Sequence, residues 1–164
     1  MVISQKMQDA INAQINAELY SAYLYLSMSS YFEGLNLSGF AKWLRVQFEE
    51  EQEHAFKFFD YVHERGGDVV LEAIAKPKST WDSPLGAFKE VLAHEQHVTE
   101  LINKLYEVAL EEKDYASQVF LQWYLTEQVE EEDNASSVVA SLESIEAREA
   151  VIYQFDVVMG RRAG

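Results

Sequence analysis

The sequence predicts an all-α fold: a four-helix bundle with one long crossover between helices 2 and 3, followed by a short fifth helix. Three observations carry this. Only 2 Pro and 7 Gly occur in 164 residues, too few punctuators for many short strands. Four long segments repeat apolar side chains at alternating spacings of three and four, the period of a helix with one buried face. The connection between the second and third segments is much longer than the others, which a simple up-and-down meander does not need.

The elements follow in order. The first segment opens behind Ser4, a hydroxyl suited to capping, and runs to about Glu33, where Gly34 to Ser38 interrupts it. The second runs from Ser38 to about Arg65 and stops at Gly66-Gly67, because glycine takes up the left-handed conformation that ends helices. Ser83-Pro84 supplies a cap and a first-turn proline for a third segment reaching about Glu112. Asp114 caps a fourth, ending near Glu143. The fifth, about 147–159, carries Val151, Ile152, Phe155 and Val158 on one side; alone it is too short to be stable and has to dock. The chain reads as a single domain over 1–164, with the bundle over about 4–144.

The short connections make helices 1 and 2, and helices 3 and 4, antiparallel pairs. The sixteen residues Gly67 to Asp82 have no helical period. Extended, they reach ~53 Å, against ~42 Å for a helix of about 28 residues, so they can travel the length of the bundle. Helices 2 and 3 are therefore expected to run parallel.

The buried seams are apolar except near their midpoints. Helix 1 reads Ile11, Ile15, Glu18, Ala22, Tyr25, and helix 2 reads Phe40, Leu44, Gln47, Glu51, His54, Phe58, Tyr61. Helix 3 gives Phe88, Val91, Glu95, Val98, Ile102, Leu105, and helix 4 gives Leu121, Tyr124, Gln128, Glu131, Ala135, Val138, Leu142. Midpoints of equal antiparallel helices share one level, so Glu18, Glu51, Glu95, Glu131 and His54 converge. Four ionised carboxylates in a low-dielectric core carry desolvation penalties of several kcal/mol each. Two divalent cations balance that charge, and Glu51 with His54, as Glu-x-x-His, presents two ligands on one face. Oxygen-rich sites with one histidine suit iron or manganese rather than zinc. Two metals bridged by a carboxylate sit ~3.5 to 4 Å apart.

Taken singly, each of these residues has an ordinary structural explanation: a satisfied core histidine, a helix-helix hydrogen bonder, an acidic run facing solvent. Their coincidence at one level does not. Phe40, Phe58, Tyr61 and Tyr124 are expected as core, and His63, His94 and His97 fall off the seams and are expected at the surface. The net charge of −15, with 13 Lys+Arg against 28 Asp+Glu, repels phosphate backbones and anionic lipid and favours cations. Zero Cys excludes iron–sulfur clusters, Cys-ligated zinc and thiol nucleophiles. No apolar run approaches the ~20 residues of a membrane span, and the first residues lack a secretory pattern. A cytoplasmic protein is expected, with no nucleic-acid or membrane partner.

The bundle-plus-carboxylate pattern is that of di-iron carboxylate proteins, and the chain resembles the non-haem ferritins of bacteria and archaea along nearly its whole length. Asn16-Ala17-Glu18-Leu19-Tyr20-Ser21, Glu50-Glu51-Gln52-Glu53-His54-Ala55, His94-Glu95, and Phe120-Leu121-Gln122-Trp123-Tyr124 leading into Glu127-Gln128-Val129-Glu130-Glu131-Glu132 carry the resemblance. It implies that Glu18, Glu51 and His54 hold a first iron, with Glu51 bridging. Glu95 and Glu131 complete a second, with Gln128 beside it. Glu50, Glu127 and Glu130 match a third, weaker iron position found in prokaryotic members. Tyr25 matches a tyrosine implicated in electron supply, and Trp123 a neighbouring aromatic.

The departures are informative too. Bacterioferritins have a second Glu-x-x-His where this chain has Gln128-Val129-Glu130-Glu131, and a haem-ligating methionine where it has Gln52, so haem is not supported. Rubrerythrins add a Cys-rich iron domain. The small DNA-protecting ferritins lack the fifth helix and place ligands between subunits.

The resemblance implies a ferroxidase and iron-storage protein. It would oxidise Fe(II) with dioxygen and deposit ferric oxyhydroxide inside a homo-oligomeric shell of about 24 subunits. Two other classes remain. A di-iron oxidase or peroxidase would hold about two metals tightly and form no mineral, and in a non-catalytic assembly protein the central carboxylates would be dispensable.

Overall fold

A chain that reaches its capping residues where its apolar stripes begin has its helix starts fixed locally, and three of the five described helices behave so. In the computed structural model, which describes residues 2–145 and 148–164, α1 spans Gln5–Gly34, α2 Ser38–Glu64, α3 Pro84–Glu111, α4 Tyr115–Ile145 and α5 Glu149–Met159. Ser4 Oγ accepts from the Met7 amide, Ser83 Oγ from the Gly86 amide, and Asp114 Oδ1 from the Ser117 amide, as the sequence leads one to expect. The α1–α2 corner turns through Asn36 at φ 57°, and α2 stops where Gly66 takes φ 70° and the Gly67 amide donates to Val62 O. The fourth helix continues past the expected end near Glu143, because Leu142 and Ile145, three apart, are both buried. The expected start of α5 near Ala147 lies outside the described residues; the helix is described from Glu149.

No strand occurs among the described residues, and the long connection climbs α1. Asn12 Nδ2 donates to Asp68 O while its Oδ1 accepts from the Val70 amide, Asn16 Nδ2 donates to Ala73 O, and Ser27 Oγ donates to Lys78 O. Backbone groups that would otherwise lack partners are thus satisfied by polar side chains on the outer face of α1. The connection ascends as α1 ascends, delivers α3 to the end where α2 began, and makes α2 and α3 parallel.

Two apolar cores result. At one end Phe32, Phe40 and Phe88 pack together, with Phe32 and Phe40 stacked at 5.1 Å. At the other, Phe58 stacks on Tyr124 at 4.0 Å and Tyr61 on Phe120 at 3.8 Å. Each fully buried large side chain contributes about 1.5–3 kcal/mol, which offsets the cost of the polar layer between the two cores.

Candidate metal centre

That polar layer is built by one turn from the middle of each bundle helix. Glu18, Glu51 and Glu95 are completely shielded from solvent, and His54, Gln128 and Glu131 nearly so. Ligand atoms of Glu18, Glu51 and His54 lie within 4.8 Å of one another, as do those of Glu51, Glu95 and Glu131. Glu51 belongs to both sets. A third set joins His54, Glu127 and Glu131, and His54 Nε2 lies 3.9 Å from Glu127 Oε1.

Hydrogen bonds around the carboxylates aim them inward. Gln14 Nε2 donates to Glu18 Oε1 at 3.1 Å, and Gln47 Nε2 donates to Glu131 Oε2 at 2.6 Å. His54 Nδ1 and Glu51 Oε2 are 3.2 Å apart, and the Tyr124 hydroxyl donates to His54 O. The Tyr25 hydroxyl donates to Glu95 Oε1. Gln128 Nε2 donates to Glu95 Oε2 at 3.2 Å, so Gln128 reaches the cluster through its amide nitrogen. One buried oxygen, Glu18 Oε2, has no hydrogen-bond partner. A shielded carboxylate oxygen left without a proton donor, beside the Glu51 carboxylate and the His54 imidazole, has the surroundings of a cation ligand.

The electrostatics agree. Burial, then the charges of Glu95 and Glu18, push Glu51 well above the usual carboxylate range. Burial raises Glu95 to about 7 against the pull of the Tyr25 and Gln128 hydrogen bonds. Burial and the Glu95 charge raise Glu131 to about 8. Burial, then the nearby Glu95 and Glu51 charges, hold the Tyr25 phenol well above its ordinary value, so it remains a neutral donor. These shifts express first the cost of burying the groups and then that of neighbouring anions without a counter-charge.

The remaining candidates lie at the rim. Glu50 pairs with Arg162 at 2.8 Å, and Glu130 is exposed on α4. Burial and the charges of Glu130 and Glu50 raise Glu127, so the three are close in charge terms, but Glu50 and Glu130 enter none of the tight ligand sets among the described residues. Trp123 packs edge-on against His54 at 5.4 Å and carries the Lys57 ammonium 3.6 Å above its ring.

His63 and His97 are exposed as expected, but His94 is not a surface group. It lies between α3 and α1, edge-on to Tyr20 and Tyr25, with Nε2 2.7 Å from Ser21 Oγ. Burial and neighbouring His97 lower it to about 4. One helical residue before a seam position still falls within the covered flank of the helix, which strict seam counting misses. Gln47, which the seam does include but to which the sequence assigns no role, sits one turn before Glu51 and bonds two candidate ligands.

The family model described as Ferritin-like domain matches residues 8–145, a span that contains every carboxylate of the cluster. The chain belongs to the ferritin family. A bacterial non-heme ferritin of Bacteroides fragilis is 44% identical over 161 residues, covering 98% of this chain and 100% of that protein. One from Staphylococcus aureus is 34% identical, covering 98% and 97%. Among solved structures, an open pore ferritin from the hyperthermophilic archaeon Archaeoglobus fulgidus superposes with a TM-score of 0.97 at 52% identity, covering 98% of each chain. An all-α ferritin bundle with a long crossover and a fifth helix is thus the fold of this member. Ferritins oxidise Fe(II) and store the ferric product, and that is the function of this chain.

Proposed function

We propose that Glu18, Glu51, His54, Glu95 and Glu131 form an intrasubunit di-iron site within one domain spanning the whole chain, with iron as substrate. The observation that carries this reading is the membership of Glu51 in two ligand sets beside the partnerless Glu18 Oε2. A first ion takes Glu18, Glu51 and His54. A second takes Glu95 and Glu131, with Glu51 bridging and Gln128 alongside. The two Fe(II) ions each give up one electron, and dioxygen accepts the pair together with two protons.

Gln128 contributes no charge, so the second ion is held loosely, which suits a transit site rather than a permanent cofactor. Glu127 shares a ligand set with His54 and Glu131 and leads outward to Glu50 and Glu130, a third and weaker position on the exit path. The ferric product leaves and hydrolyses to ferric oxyhydroxide. By the family resemblance Tyr25, which donates a hydrogen bond to Glu95, would give a third electron where dioxygen is reduced beyond the two-electron product.

Storage requires a closed volume, and the reading includes a homo-oligomeric cage of about 24 subunits. It works in the cytoplasm; no described helix is long and apolar enough to cross a membrane. The test is aerobic loading of the apoprotein with excess Fe(II), followed by the iron co-sedimenting per subunit and the particle mass. Many more irons than the sites can ligate, in a particle of about two dozen chains, supports the reading. Two or fewer irons in a small oligomer overturns it.

A further inference from the structure

One cation outside the carboxylate cluster is connected to it. The end of α5 and the residues after it lie along the first half of α2, and three contacts fix them there. Asp156 Oδ1 accepts from the Phe40 amide at 2.8 Å, and Lys42 Nζ donates to Gly160 O at 3.0 Å. Gly39 allows the approach because an added Cβ would lie 1.7 Å from the Asp156 carbonyl oxygen. Arg162 is thereby laid over Trp43, 4.2 Å from the ring centroid, and donates to Trp43 O at 3.2 Å, to Gln47 Oε1 at 2.9 Å and to Glu50 Oε2 at 2.8 Å. Trp43, Gln47 and Glu50 follow one face of α2 at spacings of four and three, and Glu51 and His54 continue that side of the helix inward.

We infer that Arg162 is a positioning residue of the metal centre, acting through Gln47. A guanidinium has donors and no acceptor, so the end of the Gln47 amide that faces it has to be the oxygen. The nitrogen end is then left facing the core, where it donates to Glu131 Oε2 at 2.6 Å and approaches Glu51 Oε1 at 3.5 Å. Gln47 is buried, so solvent does not substitute for either partner. Without Arg162 the amide gains the freedom to turn its oxygen toward two carboxylates, which repels them and loosens the geometry that iron meets. The tail after the fifth helix thus sets an orientation at the centre of the bundle without reaching it. This inference rests on the di-iron reading above.

The test compares Arg162→Met, which keeps an apolar stem over Trp43, Arg162→Lys, Gln47→Leu, the double variant Arg162→Met/Gln47→Leu, and Glu51→Gln, all as full-length assembled protein. Stopped-flow absorbance follows oxidation of the first Fe(II) added, alongside the half-saturating Fe(II) concentration and particle mass. Loss of an orienting partner of a metal ligand costs about tenfold at the lower end. Arg162→Met and Gln47→Leu are each expected to oxidise about tenfold more slowly, with Arg162→Lys in between because one donor for the amide survives. The double variant is expected to be no slower than Gln47→Leu, since both lie on one path.

A wild-type rate in Arg162→Met, or losses that multiply in the double variant, overturns the inference. Should Arg162→Met not assemble, Arg162→Lys carries the same test: it has to be slower than wild type and add nothing to Gln47→Leu. Glu51→Gln separates the two readings. If it oxidises normally, the di-iron centre is wrong and the Arg162 inference falls with it; if it is inactive while Arg162→Met is normal, only the Arg162 inference fails.

Discussion

The carboxylate of Asp156, in the last helix, accepts a hydrogen bond from the backbone amide of Phe40, in the first turn of α2, at 2.8 Å. The residue preceding α2 is Leu37, which has no capping side chain, so the helix is capped by a residue 116 positions later. The negative charge also lies favourably at the helix N-terminus. Asp156→Ala is expected to cost about 1–2 kcal/mol. For a chain of this size each kcal/mol lowers the melting temperature by about 2–4 °C. Asp156→Asn, which keeps an acceptor, should lose less. Calorimetry on the apoprotein reads the difference; superimposable melts for Ala and wild type would show the contact to be energetically silent.

Glu51→Gln is expected to separate function from stability. The bridging carboxylate touches both proposed iron positions, so first-turnover oxidation should fall about 10- to 100-fold or more. The apoprotein, relieved of a buried carboxylate crowded by Glu95 and Glu18, should melt no lower than wild type. A variant that melts lower yet oxidises iron normally would assign Glu51 to structure.

The sequence discloses the ligand level of the bundle and hides what aims it, for a physical reason. Glu18, Glu51, His54, Glu95 and Glu131 stand out because a polar residue on an apolar seam violates a period that local counting detects. Caps at Ser4, Ser83 and Asp114 are legible likewise, being local chemistry. The Asp156 cap on α2, the Asn12 and Asn16 supports under the crossover, and the Arg162 to Gln47 contact join residues far apart in the chain, and no spacing announces them. His94 departs from its expected surface position because a residue beside the seam is covered by aromatic neighbours, Tyr20 and Tyr25, contributed by another helix. Gln47 was within reach: a buried amide one turn from a buried carboxylate has few other partners.

Tyr25→Phe removes a hydroxyl whose hydrogen bond holds Glu95, while keeping the ring. Burial forces the phenol to remain a donor, so Glu95 has no substitute from solvent. A hydrogen bond to a charged group is worth about 1.5–3 kcal/mol. Affinity at the Glu95–Glu131 half of the centre should therefore fall about tenfold or more, with the Glu18–Glu51–His54 half little changed. An anaerobic titration with Fe(II) resolves the two steps; an unchanged weaker step would show that the hydroxyl does not orient Glu95 for metal.

Iron binding should release protons, and more of them in mildly acid solution than in alkaline solution. Burial holds Glu95 at about 7 and Glu131 at about 8, and Glu51 well above the ordinary carboxylate value of 4.5. Between pH 4.5 and these raised values the folded apoprotein binds more protons than the unfolded chain. These groups therefore favour the folded apoprotein most fully below pH 4.5, and that contribution is lost as pH rises through about 7 and 8. A divalent ion displaces the same protons and supplies the missing positive charge, so metal should stabilise the fold most at the alkaline end of that window. Anaerobic Fe(II) calorimetry in buffers of different ionisation enthalpy counts the protons directly. Release at pH 6 should exceed release at pH 8.5; equal release would mean that the carboxylates are already ionised before iron arrives, and that the bundle tolerates their mutual repulsion without a cation.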